Sequence, residues 1–144
     1  MKLGIDVGGT KTKVAVLDDK NHLMETKAYS TVIEEQPFLK FLTDLIREKI
    51  AQWPEISQIG IGIPGTVDTD AGMVVWCPAL QVENFELCRV LQKRIPLPVY
   101  ADNDVNAWAL AEGVVGSCQM ETDYVLVTVG TGIGAGIVLN GSLY

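Results

Sequence analysis

The sequence has few basic residues, a single histidine and no apolar run long enough to cross a bilayer. Its 144 residues include 11 Lys and Arg against 18 Asp and Glu, which gives a formal net charge of −7. Sequence-independent nucleic-acid binding needs basic side chains facing phosphates, so the charge argues against a nucleic-acid partner. The first residues do not form a signal peptide, because Asp6 and several glycines interrupt the apolar run. We therefore expect a cytoplasmic protein with no membrane partner.

The number and spacing of the cysteines do not favour a disulfide framework or a metal site. The cysteines Cys77, Cys88 and Cys118 are odd in number and contain no Cys-x-x-Cys pair, and each lies in an apolar setting. We expect all of them to be buried, reduced thiols. His22 lies in a polar turn, so we expect a solvated side chain rather than a ligand or a catalytic base.

The spacing of apolar residues predicts strands that first follow one another and then alternate with helices. Short apolar runs bounded by turn residues predict strands over residues 3–7, 13–17, 23–31, 56–63, 73–76, 98–101, 124–129 and 135–139. Spacings of three and four predict helices over residues 37–53 and 85–95, and a further helix follows Asp104. This order favours an α/β fold with a mixed sheet flanked by helices. Trp53 and Trp76 are expected in its core.

The same glycine-threonine turn occurs twice in the chain. Val7-Gly8-Gly9-Thr10 and Val129-Gly130-Thr131-Gly132 each follow an apolar strand and precede another. Glycines let backbone N–H groups converge without side chains in the way, and such a nest binds phosphate oxygens. The threonine adds a hydroxyl donor. Both turns are therefore candidate phosphate sites.

Asp6 lies just before the first turn. A carboxylate repels phosphate unless a cation lies between them, and Mg²⁺ held through water fills that role. Asp6 with its turn therefore fits a metal-nucleotide site. A tight hairpin with an exposed aspartate explains the same residues equally well, and the two interpretations stay open at this point.

Two commoner phosphate motifs do not fit. Residues 4–9 have the glycine spacing of a P-loop, but Thr10 stands where its lysine belongs and a strand pattern follows where a helix is needed. Residues 130–135 match the loose Gly-x-Gly-x-x-Ala dinucleotide pattern, yet no helix follows and the acidic residue expected about twenty positions further on is missing.

A third constellation, Asp102-Asn103-Asp104, lies where a predicted strand ends and a helix begins. Ligands of open α/β sheets usually bind at such a strand end, and a helix N-terminus favours a carboxylate. Asp104 can there accept the proton of a substrate hydroxyl while Asn103 hydrogen-bonds a neighbouring hydroxyl. An ordinary N-cap is the alternative. Gly62-Ile63-Pro64-Gly65 adds a loop that permits close approach by a ligand, although Pro-Gly is mostly a turn.

Taken in order, these motifs resemble the ROK family (repressors, uncharacterised reading frames and sugar kinases). The matching segments are residues 4–11, 60–65, 102–107 and 130–136. They resemble the family's first phosphate motif, its sugar-side loop, its catalytic motif and its second phosphate motif. The resemblance implies the two-lobed actin- and hexokinase-like (ribonuclease H-like) fold. It also implies ATP-dependent phosphorylation of a sugar hydroxyl, on a hexose or an N-acetylhexosamine.

The resemblance assigns a role to each matching residue. Asp104 would be the catalytic base, and Asn103 and Gly65 would border the sugar. ATP phosphates and Mg²⁺ would be held by Asp6, Gly8, Gly9, Thr10, Lys11, Thr131, Gly132 and Gly134, with Asp6 binding Mg²⁺ through water. Many members carry an asparagine in the sugar pocket after Pro78, where this chain has Ala79-Leu80, so the resemblance does not identify the sugar.

The resemblance also implies how the chain is organised. Residues 1–118 would form the N-terminal lobe, and residues 119–144 only the opening β-hairpin of a second lobe. In family members that lobe brings further sugar ligands, the adenine pocket and often a zinc site, none of which we expect in this chain. Little or no kinase activity is expected from the 144 residues alone. An apolar hairpin is not stable when exposed, so we expect it to pack on the first lobe or to form a homodimer.

Two other functions remain compatible with the sequence. ROK repressors use the same sugar-binding lobes without catalysis, but they carry a DNA-binding domain ahead of the lobes. Because the phosphate motif begins at Ile5 and because Asp6 and Asp104 are present, we expect a kinase. A stand-alone acidic binding module is the remaining alternative.

Overall fold

The computed structural model describes residues 1–130 and 132–144. Its elements in chain order are β1 (Lys2–Val7), β2 (Lys11–Leu17), β3 (Leu23–Ser30), α1 (Glu35–Gln52), β4 (Gln58–Ile63), β5 (Thr66–Asp68), β6 (Met73–Cys77), a 3₁₀ turn (Pro78–Leu80), β7 (Val82–Phe85), α2 (Leu87–Gln92), β8 (Val99–Asn103), α3 (Asp104–Val114), β9 (Tyr124–Val129), β10 (Ile133–Leu139) and β11 (Ser142–Leu143).

A five-stranded mixed sheet is the centre of the fold, in the order β3-β2-β1-β4-β8. The first three strands form an antiparallel meander, whereas β4 and β8 run parallel to β1. Two smaller antiparallel sheets, β5-β6-β7 and β11-β10-β9, lie beside it. The predicted α/β class with a mixed sheet is confirmed.

One face of the central sheet forms the core. Alternation along β1 and β4 turns residues such as Leu3, Ile5 and Ile61 to this face, where each is almost fully buried. The apolar stripe of α1 completes the same cluster. Each fully buried side chain of this size contributes about 1.5–3 kcal/mol. The stripe includes one charge, Lys49, which is buried and pairs with Glu25 of β3.

The opposite face of the sheet carries small residues and is partly covered by α3. Gly62 contacts the start of this helix, where an added Cβ would lie 3.3 Å from the Cα of Asp104. The hairpin of β9 and β10 also packs on α3. An added Cβ at Gly136 would lie 2.6 Å from the Cβ of Ala109, so only glycine allows this close approach. Within the described residues no helix is long and apolar enough to cross a membrane.

Some sequence expectations are wrong in detail. The helix expected over residues 85–95 is shorter, because β7 continues to Phe85 and α2 begins at Leu87. Only the two end residues of β7, Val82 and Phe85, are buried, so the strand lacks the alternation that identifies a strand in a sequence. Trp76 is 56% exposed rather than buried, because it lies on the outer side of the small β5-β6-β7 sheet opposite Glu83. Trp53 does pack against the core.

The three cysteines differ in how deeply they are buried. Cys77 and Cys88 are buried and free, as expected. Cys118 is only half-buried, because it lies in the connection between α3 and β9, where its N–H donates to the carbonyl of Glu112. An apolar sequence setting did not distinguish a core position from this connection.

Candidate functional site

Three of the predicted motifs meet at one edge of the central sheet. The carboxyl ends of the parallel strands β1, β4 and β8 lie side by side there. Asp6 of β1 is the register partner of Gly62 of β4, and Gly62 in turn is the partner of Asp102 of β8. Asp104 then follows as the first residue of α3. The parallel pairing therefore brings Asp6 and Asp104 to the same edge.

A cleft of about 1060 Å³ opens on the face of the sheet that α3 partly covers. Among the predicted site residues, Asp6, Gly8 and Asp104 line this open-face cleft. Lys13 and Thr128 line it as well, although neither was predicted. Thr128 belongs to β9, so the second hairpin reaches the same cleft as the first.

The surroundings of Asp104 shift the pKa of its carboxyl group. Burial raises its pKa, the N–H of Val105 lowers it by donating to Oδ1 at 3.0 Å, and the negative charge of Asp6 raises it again. The net direction is upward. A carboxylate with a raised pKa holds a proton more readily, which is the property that a general base requires.

Asn103 joins the start of α3 to the loop after β4. Its Oδ1 accepts hydrogen bonds from the N–H groups of Val105 at 2.9 Å and Asn106 at 3.1 Å, so it is the N-cap of the helix. Its Nδ2 donates to the carbonyl of Gly65 at 3.0 Å. Asn103 therefore fixes the two loops that flank Asp104, and its amide is already bound to protein partners. The predicted contact with a sugar hydroxyl stays a prediction.

Asp102 adds a second connection in the same motif. Its Oδ1 accepts from the N–H of Asn103 at 2.6 Å and from Nδ2 of Asn106 at 3.2 Å. It also lines the open-face cleft. The three polar residues thus have separate tasks, which explains why the motif is longer than a single cap requires.

The first glycine turn is a tight turn that requires glycine and leaves two N–H groups available. The N–H of Gly8 donates to the carbonyl of Lys11 at 2.9 Å and closes the hairpin. An added Cβ at Gly8 would lie 2.8 Å from that same carbonyl oxygen, so glycine is required. Gly9, Thr10 and Lys11 are exposed. The N–H groups of Gly9 and Thr10 donate to no acceptor in the part of the chain that the structure describes, so they are available to phosphate oxygens.

The acidic residues fit Mg²⁺ better than a metal that needs a protein cage. Within residues 1–130 and 132–144 there is no group of three or more His, Cys, Asp or Glu side chains placed to hold an ion. Mg²⁺ usually keeps several waters and binds through one or two carboxylates plus substrate phosphates. The exposed carboxylate of Asp6 beside a turn with free N–H groups matches that preference.

The second glycine turn is only partly described. The N–H of Gly130 donates to the carbonyl of Gly132 at 2.9 Å, and Gly132 is exposed at the tip of the hairpin. Gly134 lies against α3, where an added Cβ would be 2.8 Å from Cγ2 of Val105. Thr131, the other predicted phosphate ligand, lies outside the described residues. This hairpin therefore borders the residue that follows Asp104.

The position of Lys13 beside Asp6 was predictable from the sequence, although it was not predicted. A two-residue turn between Gly8 and Lys11 fixes the register of the hairpin, which places Lys13 directly opposite Asp6. Residues directly opposite in an antiparallel pair point to the same face. Thr128 had no comparable signal, because only the packing of the hairpin on α3 brings it to the cleft.

Comparison with known proteins identifies a family whose model matches almost the whole chain. The model of the ROK family matches residues 2–144. A glucokinase of Thermotoga maritima is 31% identical over 144 residues, covering 98% of this chain and 45% of the relative. A xylose repressor of Caldicellulosiruptor bescii is 36% identical over 115 residues, covering 77% of this chain and 29% of the relative. The chain therefore spans less than half the length of either relative.

The solved structures that match this chain include both a sugar kinase and a transcriptional regulator. A ROK family glucokinase from Streptomyces griseus in complex with glucose and AMPPNP superposes with a TM-score of 0.87 at 29% identity, over 99% of this chain and 46% of that one. A ROK family transcriptional regulator, a homologue of the E. coli MLC protein, gives a TM-score of 0.91 at 29% identity, over 99% of this chain and 37% of that one.

Proposed function

The chain belongs to the ROK family, and from this premise we propose that it is the N-terminal portion of an ATP-dependent kinase that phosphorylates a sugar hydroxyl. The substrate would be a hexose or an N-acetylhexosamine. The observation that carries the proposal is the meeting of Asp104, Asp6 and the first glycine turn at one sheet edge. A base, a cation ligand and a phosphate-binding turn are the parts that phosphoryl transfer requires.

In this mechanism Asp104 accepts the proton of the sugar hydroxyl. Its raised pKa favours that proton transfer, and a base placed in this way typically contributes about 10²–10⁴ in rate. The N–H groups of Gly9 and Thr10 would bind and orient phosphate oxygens, and Asp6 would bind the cation through water. ATP with Mg²⁺, when bound, supplies the phosphoryl group and neutralises its charge. Asn103 holds Asp104 in position through the helix cap.

A sugar-sensing regulator is the second candidate, favoured by the 36% identity to the xylose repressor. A sensor needs a sugar pocket but has no use for a base of raised pKa beside a second carboxylate, since that pairing lowers stability. The presence of both Asp6 and Asp104 therefore favours the kinase.

An assay of coupled ADP release with hexoses and N-acetylhexosamines tests the proposal. We expect turnover from a polypeptide that joins this chain to a second lobe, and loss of turnover in its Asp104→Asn variant. The 144 residues alone should give little or none. Calorimetry with Mg-ATP and with each sugar separates the candidates, because heat from sugar without any from Mg-ATP identifies a sensor. Turnover that survives Asp104→Asn contradicts the assigned base.

We also propose that residues 1–118 form one lobe and that the hairpin beyond them associates with a second copy of the chain. The outer face of the hairpin consists of apolar residues that point away from α3. They are Val125, Val127, Val129, Ile133, Ala135, Ile137 and Leu139. Light scattering of the chain and of its Val127→Lys variant tests this. A dimer that the variant converts to monomer supports the proposal, and a wild-type monomer contradicts it.

A further inference from the structure

Thr31 lies outside every motif discussed so far, yet it is hydrogen-bonded to the first glycine turn at two points. Its hydroxyl donates to the carbonyl of Gly8 at 2.7 Å. Its backbone N–H donates to the carbonyl of Thr10 at 3.0 Å. Thr31 follows the last residue of β3, so the meander places it beside the turn.

A second threonine, Thr12, is hydrogen-bonded to Thr31. The hydroxyl oxygens of Thr12 and Thr31 are 3.0 Å apart. Since the single hydroxyl proton of Thr31 goes to the carbonyl of Gly8, the hydroxyl of Thr12 is the donor in this pair. Thr12 is fully buried, so its hydroxyl has no water to compete for the bond.

The two contacts orient the peptide planes of the turn. The Gly8–Gly9 and Thr10–Lys11 peptides are trans, and in a trans peptide the C=O and N–H groups point in opposite directions. With the carbonyls of Gly8 and Thr10 directed at Thr31, the N–H groups of Gly9 and Lys11 point away from it. Carbonyl oxygens repel phosphate and N–H groups attract it, so this orientation is the one that an anion site needs.

We propose that Thr31 is a positioning residue that holds the first glycine turn so that the N–H group of Gly9 is directed at nucleotide phosphates. This inference rests on the proposed function, because it assumes that the turn binds phosphate. Thr31 itself touches no phosphate. It acts by binding the carbonyl oxygens that would otherwise face the ligand.

The test compares Thr31→Val with Thr31→Ser and with a matched control elsewhere. Thr43 of α1 is the control, since its hydroxyl also donates to a backbone carbonyl, that of Leu39, at 2.7 Å. Thr43→Val therefore removes an equivalent bond far from the turn. Titration of each ¹⁵N-labelled chain with Mg-ATP, followed at the amide signal of Gly9, measures affinity even when binding is weak.

We expect Thr31→Val to weaken Mg-ATP binding about tenfold, the effect of losing one bond of ordinary strength. Thr31→Ser, which keeps the hydroxyl, should stay within about twofold of wild type, and so should Thr43→Val. The Gly9 amide signal of the nucleotide-free chain should shift in Thr31→Val and not in Thr43→Val.

Two results overturn the inference in distinguishable ways. If wild type binds Mg-ATP and Thr31→Val binds equally well, the positioning role is wrong while the proposed function stands. If the Gly9 amide of wild type does not respond to Mg-ATP at all, the role of Thr31 fails, while the proposed function is judged separately by turnover of the polypeptide that carries a second lobe.

Discussion

Replacing Asn103 by alanine tests the connection on which the geometry of Asp104 depends. The substitution removes the cap oxygen that accepts from Val105 and Asn106, which costs about 1 kcal/mol. It also removes the Nδ2 donor and leaves the half-buried carbonyl of Gly65 without this partner, which costs about another 1 kcal/mol. The expected loss of unfolding free energy is therefore about 2 kcal/mol, or roughly 6 °C in Tm for a chain of this size.

Asn103→Asp separates the two contributions. Its carboxylate keeps the cap and interacts favourably with the helix N-terminus, but it cannot donate to Gly65. We therefore expect Asn103→Asp to lose about half as much stability as Asn103→Ala. Asn106→Ala is the neighbouring control, because it loses one bond at 3.2 Å to Asp102 and gains helix propensity, so its stability should change little.

Urea unfolding followed by far-UV circular dichroism measures all three variants. A loss below about 0.5 kcal/mol in Asn103→Ala would refute the reasoning, because a typical cap alone is worth at least that much. Equal losses in the alanine and aspartate variants would show that the cap contributes nothing and that only the contact with Gly65 matters.

Three further predictions concern charge and burial. Asp104→Asn should raise stability at neutral pH, because the raised pKa of Asp104 means that its charged form is less favourable in the folded chain. The gain should vanish in acid, where Asp104 is protonated. Lys49 and Trp53 donate hydrogen bonds to Glu25 and lower its pKa below the ordinary value of 4.5. The stability that this contact contributes is therefore present above pH 4.5 and is lost as the pH falls through the lowered pKa. Acid unfolding should show that loss in wild type and not in Glu25→Gln. Iodoacetamide at mildly alkaline pH should alkylate Cys118 first, as read by mass spectrometry, because Cys88 is buried and its pKa is raised to about 11. Rapid labelling of Cys88 would contradict its burial in the core.

The sequence was most informative where chemistry and periodicity coincide. Strand β1 alternates buried and open positions and ends in a glycine turn, so both the strand and the candidate phosphate site were predictable. The parallel order of β1, β4 and β8 was not, yet that pairing is what joins Asp6 to Asp104. Membership of the family, confirmed by the match over residues 2–144, supplied the order that single motifs could not.

The features missed from sequence are those that depend on tertiary contact. Thr31 looks like an ordinary residue at the end of a strand, and only the meander brings its hydroxyl to Gly8. Trp76 was expected in the core because tryptophan is usually buried, but the small sheet that carries it has an outer side. Thr128 reaches the cleft only because glycines let β10 approach α3 closely.

The two loops that flank the cleft are anchored in the same physical way. In each of them a backbone carbonyl is bound by a side chain from a neighbouring segment: that of Gly8 by Thr31, and that of Gly65 by Asn103. A hydrogen bond to the carbonyl oxygen fixes the orientation of the peptide plane, so that the oxygen does not turn into the cleft. An anionic ligand is repelled by a carbonyl that turns to face it, so under the proposed function the bond from Thr31 would keep the carbonyl of Gly8 away from a bound phosphate. Both side chains lie within residues 1–118, so this part of the chain anchors the two loops through its own hydrogen bonds.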